Sequence, residues 1–299
     1  MRLPPIPLEM ADDIDIGLIG VPWDAGTTNR AGARHGPRQV REMSSFMRNV
    51  HHVTGVNPYE IANCADLGDV NVNPIDIKES LSLVEQFYRI ANAKHIVPLS
   101  VGGDHLLSLP VMRGICSKNP MGMVHIDAHT DTNDRSFGKY EYTHGTPFRR
   151  AIEEGLLDSQ RTIQIGIRGS LYATEDLDWG RAHGIRIVTI EEFYDKGSAQ
   201  IAKIAQEVVG DGQTYLSFDI DSLDPAFAPG TGTPEVGGLS TRDAQSFLRA
   251  LRGIRFIGAD IVEVSPPFDP SGNTAIVAAT LMFEILCLLA EQVELRKRS

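Results

Sequence analysis

The chain has 299 residues, of which 42% are hydrophobic and 22% are charged, as is usual for a soluble globular protein. The formal net charge of −11 argues against nucleic acid or an anionic membrane surface as a partner. The three cysteines, Cys64, Cys116 and Cys287, lie far apart in no paired motif, so we expect reduced thiols and a cytoplasmic protein.

The N-terminal segment is expected to be an arm on a single domain that spans residues 1–299. Its sequence, MRLPPIPLEMADD, lacks the charged and apolar regions of a signal peptide, and the arm should end near residue 12. The glycine-rich segment 26-GTTNRAGARHGP-37 lacks the Lys-Ser/Thr ending of a phosphate-binding loop. It therefore predicts an ordered loop that precedes a helix.

Apolar strands and amphipathic helices alternate along the rest of the chain. Strands are predicted at residues 14–22, 96–101, 121–127, 161–167, 185–190, 214–220 and 254–264. Helices are predicted at residues 76–94, 198–210 and 275–295, and from Ser240, where S-T-R-D offers a capping box. Glu284 interrupts the last helix, which is expected in the core rather than in a membrane. This alternation predicts a mainly parallel sheet covered by helices on both faces.

Polar side chains that could bind metal ions follow four of the predicted strands. They are His105 in GGDH, Asp127, His129 and Asp131 in VHIDAHTD, Asp219 and Asp221 in SFDIDS, and Glu263. Sites in open α/β sheets lie beyond the carboxyl ends of the strands, so we expect these residues at one edge. Carboxylates with two histidines and no cysteine suit a divalent ion such as Mn²⁺ better than a structural zinc. Four carboxylates carry enough charge for two ions, and such a pair can ionise a shared water near neutral pH.

Four segments in this order, GGDH, VHIDAHTD, SFDIDSLDPAFAPGTGTPEVGGLS and DIVEVSPP, resemble the ureohydrolase family of arginases and agmatinases. The resemblance runs from about Gly20 to the last helix, and HGTPFRRA at 144–151 is similar to the agmatinase-like branch. It implies an arginase-like α/β fold, a three-layer α/β/α sandwich with a mainly parallel central sheet. It also implies hydrolysis of a guanidinium group to an amine and urea by a homotrimer or homohexamer.

The same resemblance implies a site with two Mn²⁺ ions per subunit and a bridging water or hydroxide. One ion would take His105, Asp127, Asp131 and Asp219, and the other would take His129, Asp127, Asp219 and Asp221. Asp127, as a bridging ligand, is counted among the catalytic residues. Glu263 would orient the substrate guanidinium, and His144 would carry a proton to the leaving amine. His125 lies one step upstream in the strand and is expected to support the ligands by hydrogen bonding.

The substrate is expected to be a small guanidino compound, and we place agmatine, cleaved to putrescine and urea, ahead of guanidinobutyrate and guanidinopropionate. Its far end would meet the loops 132–143 and 168–176. These loops carry acids that suit an amine, Asp134, Glu141, Glu175 and Asp176, and bases that suit a carboxylate, Arg135, Lys139 and Arg168. The remaining alternatives are a formiminoglutamase-type hydrolase and a non-catalytic ureohydrolase-like subunit. A binuclear phosphoesterase would need a GNH[DE] segment, which the chain lacks.

Overall fold

One parallel sheet of eight strands runs through the computed structural model, which describes residues 3–171 and 173–298 without the side chains of Thr174, Glu175 and Arg298. The strands are β1 (Ile16–Val21), β2 (Cys64–Asp69), β3 (Val97–Gly102), β4 (Met121–Ile126), β5 (Leu157–Ile167), β6 (Arg186–Thr189), β7 (Thr214–Asp219) and β8 (Phe256–Val262). Their order is β2-β1-β3-β8-β7-β4-β5-β6, and every neighbouring pair is parallel.

Helices cover both faces of this sheet. They are α1 (Gly36–Met43), α2 (Pro58–Ile61), α3 (Ile77–Ala93), α4 (Ser108–Ile115), α5 (Pro147–Glu153), α6 (Asp178–Ala182), α7 (Ile190–Lys196), α8 (Ser198–Val209), α9 (Thr241–Ala250) and α10 (Asn273–Arg298). The strands β1, β3, β4 and β7 are buried along their whole length, which accounts for their nearly continuous apolar sequences. Ser240 is the N-cap of α9 as predicted, because its Oγ accepts the N–H of Asp243 at 3.1 Å, whereas the Asp243 side chain bonds to the Ser240 hydroxyl.

The sheet divides the hydrophobic core into two clusters. Helices α1, α8, α9 and α10 contribute to the cluster on one face, and helices α3, α4 and α5 contribute to the other. The three-layer α/β/α sandwich is therefore confirmed. The predicted strands and helices are confirmed with shifts of a few residues at their ends, except that strand β5 begins earlier than expected.

The long C-terminal helix α10 is a core element of this sandwich. Its length and composition would allow it to cross a membrane, but 78% of its most apolar window is buried inside the protein. It packs against β3, β8, α1 and α9. Glu284, which interrupts its apolar sequence, is buried, pairs with Arg249 and lies 2.8 Å from Nε2 of His51. The charge is thus satisfied by neighbouring elements.

The predicted arm lies along β2, a strand that the apolar patterns do not predict. The backbone N–H of Ile6 donates to the carbonyl oxygen of Asp66 at 2.8 Å. Leu8, a residue of this arm, is buried in the core. Met1 and Arg2, the first residues of the expected arm, lie outside the described residues. The arm from residue 3 onward is therefore packed on the edge of the sheet.

Candidate active site

Four neighbouring strands in the middle of the sheet deliver the predicted site residues to one edge. The strands β3, β8, β7 and β4 lie side by side. His105 follows β3, and Glu263 follows β8. Asp219 is the last residue of β7, and Asp221 lies two residues later. Asp127, His129 and Asp131 follow β4. Short turns follow β3 and β7, where Asp104 caps the N–H of Leu106 and Asp219 caps the N–H of Asp221. The strand order therefore explains why residues from distant segments meet.

The first candidate metal position lies at the buried Nδ1 atom of His105. Three carboxylate oxygens surround it: Asp131 Oδ2 at 2.9 Å, Asp127 Oδ2 at 3.1 Å and Asp219 Oδ2 at 3.2 Å. None is aligned for a hydrogen bond, so this nitrogen has no hydrogen-bond partner among the residues that the structure describes. Ligand atoms about 2.1 Å from one ion and at right angles to each other are about 3.0 Å apart. A divalent cation among these atoms would therefore fit both the orphaned nitrogen and the distances.

The second candidate position lies at Nδ1 of His129, a side chain that is partly exposed. Asp221 Oδ2 is 3.2 Å from this nitrogen and Asp127 Oδ1 is 3.4 Å from it. Asp127 thus faces both histidines, with one carboxylate oxygen toward each. Asp127, His129 and Asp221 are close enough together to hold a metal ion. Asp219 directs Oδ1 to the N–H of Asp221 at 2.8 Å, so its predicted bridging role rests on the resemblance alone.

Among the described residues, only histidines pair with these four carboxylates, and no lysine or arginine does. Burial raises the pKa of Asp219 well above its ordinary value, and the charges of Asp221 and Asp127 raise it further. Burial also raises the pKa of Asp221. Burial lowers the pKa of His105, but the adjacent carboxylates raise it well above its ordinary value. The cluster therefore favours bound positive charge, which protons or divalent cations can supply.

His125 supports this cluster through Asp127. Its Nε2 is 2.7 Å from Asp127 Oδ2, and the amide nitrogen of Gln164 is 3.1 Å from its Nδ1. The same amide nitrogen donates to the carbonyl oxygen of Thr130 at 2.5 Å, which fixes the orientation of the amide. Nδ1 of His125 therefore accepts, and Nε2 donates its proton to Asp127. Although His125 is near enough to His105 and Asp127 to be a ligand, both of its ring nitrogens are engaged.

Glu263 and His144 lie side by side next to His105. Glu263 Oε1 accepts the backbone N–H of His105 at 2.9 Å and is 3.1 Å from His144 Nδ1. The other ring nitrogen of His144, Nε2, lies 2.8 Å from Thr28 Oγ1. Burial lowers the pKa of His144, but the hydrogen bond and charge of Glu263 raise it to about 9. His144 can therefore hold a proton at neutral pH, between a carboxylate and a hydroxyl group.

The glycine-rich loop 26–37 is tied to the site by buried acids. Asp104 is fully buried and accepts the N–H of Gly26 at 2.6 Å. Asp24 is also buried and pairs with Arg34 at 2.5 Å. These contacts bring Thr28 to His144. The expected ordered loop is present, and it leads into α1.

The backbone is unusual at three positions of the site. A Cβ atom on Gly103 would lie 1.6 Å from the carbonyl oxygen of Trp23, so only glycine fits there. Glu263 and Asp131 have φ angles of 62° and 52°, in the left-handed region that side chains other than glycine rarely adopt. Residues are held in this region chiefly where the surrounding structure determines them, often at functional sites.

Charged side chains in the loops 132–143 and 168–176 are largely paired with neighbours. Asp134 is 2.9 Å from Arg150, and Glu141 is 2.9 Å from Arg135. Arg168 donates to several backbone carbonyls, including that of Asp221. Lys139 lies over the ring of Tyr140, and Asp176 accepts the N–H of Ala173. Tyr172 and the side chain of Glu175 lie outside the described residues. Arg168 is therefore a structural residue, and the acids of 132–143 are engaged.

Four residues that contact the site were not predicted: Thr28, Gln164, Ser217 and Asp260. Ser217 lies two residues before Asp219 and therefore on the same face of β7, so the alternation of this strand could have predicted it. Asp260 is a charged residue inside the apolar strand FIGADIV, where burial requires hydrogen-bond partners. Thr28 and Gln164 have no comparable local signal, because their partners come from distant parts of the chain.

Known proteins are similar to this chain along nearly its whole length. A model of the Arginase family matches residues 14–288. A guanidinopropionase of Pseudomonas aeruginosa is 60% identical over 291 residues, which cover 97% of this chain and 91% of that protein. A guanidinobutyrase of the same organism is 47% identical, again over 97% of this chain and 91% of that protein. The solved structure of proclavaminate amidino hydrolase from Streptomyces clavuligerus superposes with a TM-score of 0.92 at 39% identity, covering 97% of this chain and 96% of that one.

Proposed function

This chain belongs to the arginase family, and within it we propose an enzyme that hydrolyses a guanidino acid to an amine and urea. The resemblance to the ureohydrolases is thereby confirmed, as is the assignment to hydrolases of linear guanidino compounds. The observation that carries the proposal is the pair of imidazole nitrogens, on His105 and His129, that face a shared carboxylate, Asp127, from its two sides.

We assign the two metal positions to these residues. His105, Asp127, Asp131 and Asp219 would hold one ion, and His129, Asp127, Asp219 and Asp221 would hold the other. Oxygen-rich donor sets with imidazole suit Mn²⁺, and the four carboxylates match the charge of two divalent ions. When bound, such a pair of ions supplies a water molecule that is ionised near neutral pH. The unpartnered Nδ1 atom of His105 supports this assignment.

Glu263 and His144 are proposed to bind the substrate and to move the proton. The Oε1 atom of Glu263 is engaged by His105 and His144, which leaves Oε2 to pair with the planar guanidinium cation. Water then adds to the guanidinium carbon, the bond from this carbon to the substituted nitrogen breaks, and both protons of the water end on the amine as urea is released. His144 donates its proton to the departing amine and recovers one from the oxygen that came from water, a role that suits an imidazole held protonated beside a carboxylate.

A guanidino acid is placed ahead of agmatine because of the similarity to known proteins. The 60% identity to a guanidinopropionase supports a substrate with a carboxylate at the far end. The loop 132–143 does not favour either class, because its charges pair with each other or with neighbours, Asp134 with Arg150 and Glu141 with Arg135. Agmatine, preferred on sequence patterns, becomes the second candidate.

Urea release with Mn²⁺ supplied tests the proposal directly. The substrates are 3-guanidinopropionate, 4-guanidinobutyrate, agmatine, arginine and formiminoglutamate. We expect the highest kcat/KM for one of the two guanidino acids. A higher value for agmatine would overturn the substrate class, and no urea from any compound would favour a non-catalytic subunit. Asp127→Asn serves as the control and should abolish both activity and metal binding.

Further expectations accompany this proposal. We propose that residues 1–299 act as one domain, since strands from Ile16 to Val262 share one sheet. We also propose a cytoplasmic homotrimer or homohexamer that binds neither nucleic acid nor membrane. Light scattering of the purified protein tests the oligomeric state, and a monomeric mass would refute it.

A further inference from the structure

We propose that Asp260 is a positioning residue that acts through Ser217 to aim Nδ1 of His105 at the first metal position. The inference rests on the proposed metal-dependent function and adds two residues to it. Neither side chain faces the candidate metal positions directly. Their effect would be on the affinity for one metal ion.

Asp260 is a fully buried carboxylate in the middle of β8. Among the described residues it has no ion pair with a lysine, arginine or histidine, and three hydroxyl groups donate to it instead. Ser108 and Tyr215 donate to Oδ2 at 2.6 Å and 2.7 Å, and Ser217 donates to Oδ1 at 2.7 Å. Hydrogen bonds to an ionised acceptor are stronger than neutral ones, so these three lower the cost of burying the charge.

The direction of these hydrogen bonds fixes the tautomer of His105. A carboxylate only accepts, so Ser217 spends its single hydroxyl proton on Asp260. The oxygen of Ser217 lies 2.8 Å from His105 Nε2 and must therefore accept the proton of that nitrogen. Nδ1 of His105 is then free to present its lone pair to the carboxylates of Asp127, Asp131 and Asp219.

A histidine that binds metal usually donates its second N–H to a partner that sets its orientation and raises its basicity. Here that partner is a serine hydroxyl polarised by a buried carboxylate. The competing explanation is that Asp260 merely joins β7, β8 and α4 through its three hydroxyl partners. Both explanations predict a loss of stability when the network is cut, but only the first predicts a loss of metal affinity.

The network contains a matched control for this distinction. Ser217 and Ser108 are both fully buried, and both donate to Asp260. Only the Ser217 side chain also contacts the imidazole of His105, since Ser108 reaches His105 through its backbone N–H, which Ser108→Ala retains. Ser217→Ala and Ser108→Ala therefore make the same chemical change on the same carboxylate, and they differ in the link to the histidine. Asp260→Asn keeps the shape of the acceptor and removes its charge.

The experiment measures Mn²⁺ binding by electron paramagnetic resonance of free Mn²⁺, together with urea unfolding in EDTA. Ser217→Ala and Asp260→Asn should weaken one of the two ions by roughly 10- to 100-fold. Ser108→Ala should leave both affinities near those of the wild type, although it also lowers stability in EDTA. Equal weakening by Ser217→Ala and Ser108→Ala, or unchanged affinity in Ser217→Ala or Asp260→Asn, would overturn the role of Asp260. A wild-type protein that binds no Mn²⁺ would instead overturn the metal site itself, and this inference with it.

Discussion

The effect of Asp219→Asn on the free energy of unfolding should depend on whether metal is bound. Asparagine retains an oxygen that can accept the N–H of Asp221, so the turn after β7 is preserved. In the metal-free protein, burial and two neighbouring charges raise the pKa of Asp219 well above its ordinary value. A carboxyl group with a folded pKa above its unfolded pKa stabilises the fold only at low pH, and it destabilises the fold as the pH rises. At pH 7, Asp219→Asn should therefore be at least as stable as the wild type without metal.

Metal ions should reverse this order. An ion present at 100 times its dissociation constant adds about 2.7 kcal/mol to the free energy of unfolding. Two ions would add about 5 kcal/mol to the wild type by the same relation. At about 2 °C per kcal/mol for a chain of this size, the melting temperature would rise by about 10 °C. Because Asp219 faces His105 at 3.2 Å, its loss should remove the share of the first ion, about half of this gain.

The assay is thermal and urea unfolding of both proteins at pH 7, in EDTA and in excess Mn²⁺. The exposed Asp195 on α7 provides a control, since Asp195→Asn should change stability in neither condition. The reasoning fails if Asp219→Asn gains as much from Mn²⁺ as the wild type does. It also fails if the variant is several kcal/mol less stable than the wild type in EDTA.

Three further predictions concern His144 and its two partners. His144→Asn should lower kcat by roughly 10²- to 10⁴-fold with both Mn²⁺ ions retained, and metal loss would mean that His144 is a ligand. Thr28→Val removes a hydrogen bond worth about 1 kcal/mol, keeps the contact of the Thr28 backbone N–H with Nε2, and should lower kcat about five-fold with Mn²⁺ content unchanged; an unaltered kcat would show that the Thr28 hydroxyl does not orient the imidazole. In the metal-free protein, nuclear magnetic resonance should show His144 titrating near pH 9, and Glu263→Gln should lower that pKa. The pKa of His144 is higher in the folded chain than in the unfolded chain, so the His144–Glu263 pair stabilises the fold fully below about pH 6.5 and ceases to do so as the pH rises through 9. A His144 titration that is unchanged in Glu263→Gln would contradict the assignment.

Strands with apolar sequences could be predicted, but their neighbours in the sheet could not. The apolar patterns place β3, β4, β7 and β8 in the chain, and the rule that sites lie at carboxyl ends places their polar residues at one edge. That these four strands are adjacent depends on packing between segments far apart in the chain. β2 was not predicted because Asp66 and Asp69 interrupt its apolar sequence. The structure explains Asp66, which is buried and paired with Arg41.

Some residues of the candidate site could be predicted from the sequence pattern, and others could not. Those in alternating polar positions after a strand, such as Asp127 and Asp221, are visible in the sequence because such a pattern is costly without a partner. Thr28 is not visible, since its contact with His144 spans 116 residues. Arg168 shows the opposite error: its charge suggested a substrate contact, but backbone carbonyls take up its hydrogen bonds.

The position of β8 has a consequence for the synthesis of the protein. It follows the other seven strands in the described part of the chain, yet it lies between β3 and β7 and joins the three strands β2, β1 and β3 to the four strands β7, β4, β5 and β6. Until residues 256–262 emerge from the ribosome, β3 and β7 each present an open edge to which another chain could add. Without β8 the remaining strands would form two separate groups, each carrying part of the site. A chain truncated before β8 would be prone to aggregate and would lack Glu263, so the site is complete only once β8 has joined the sheet.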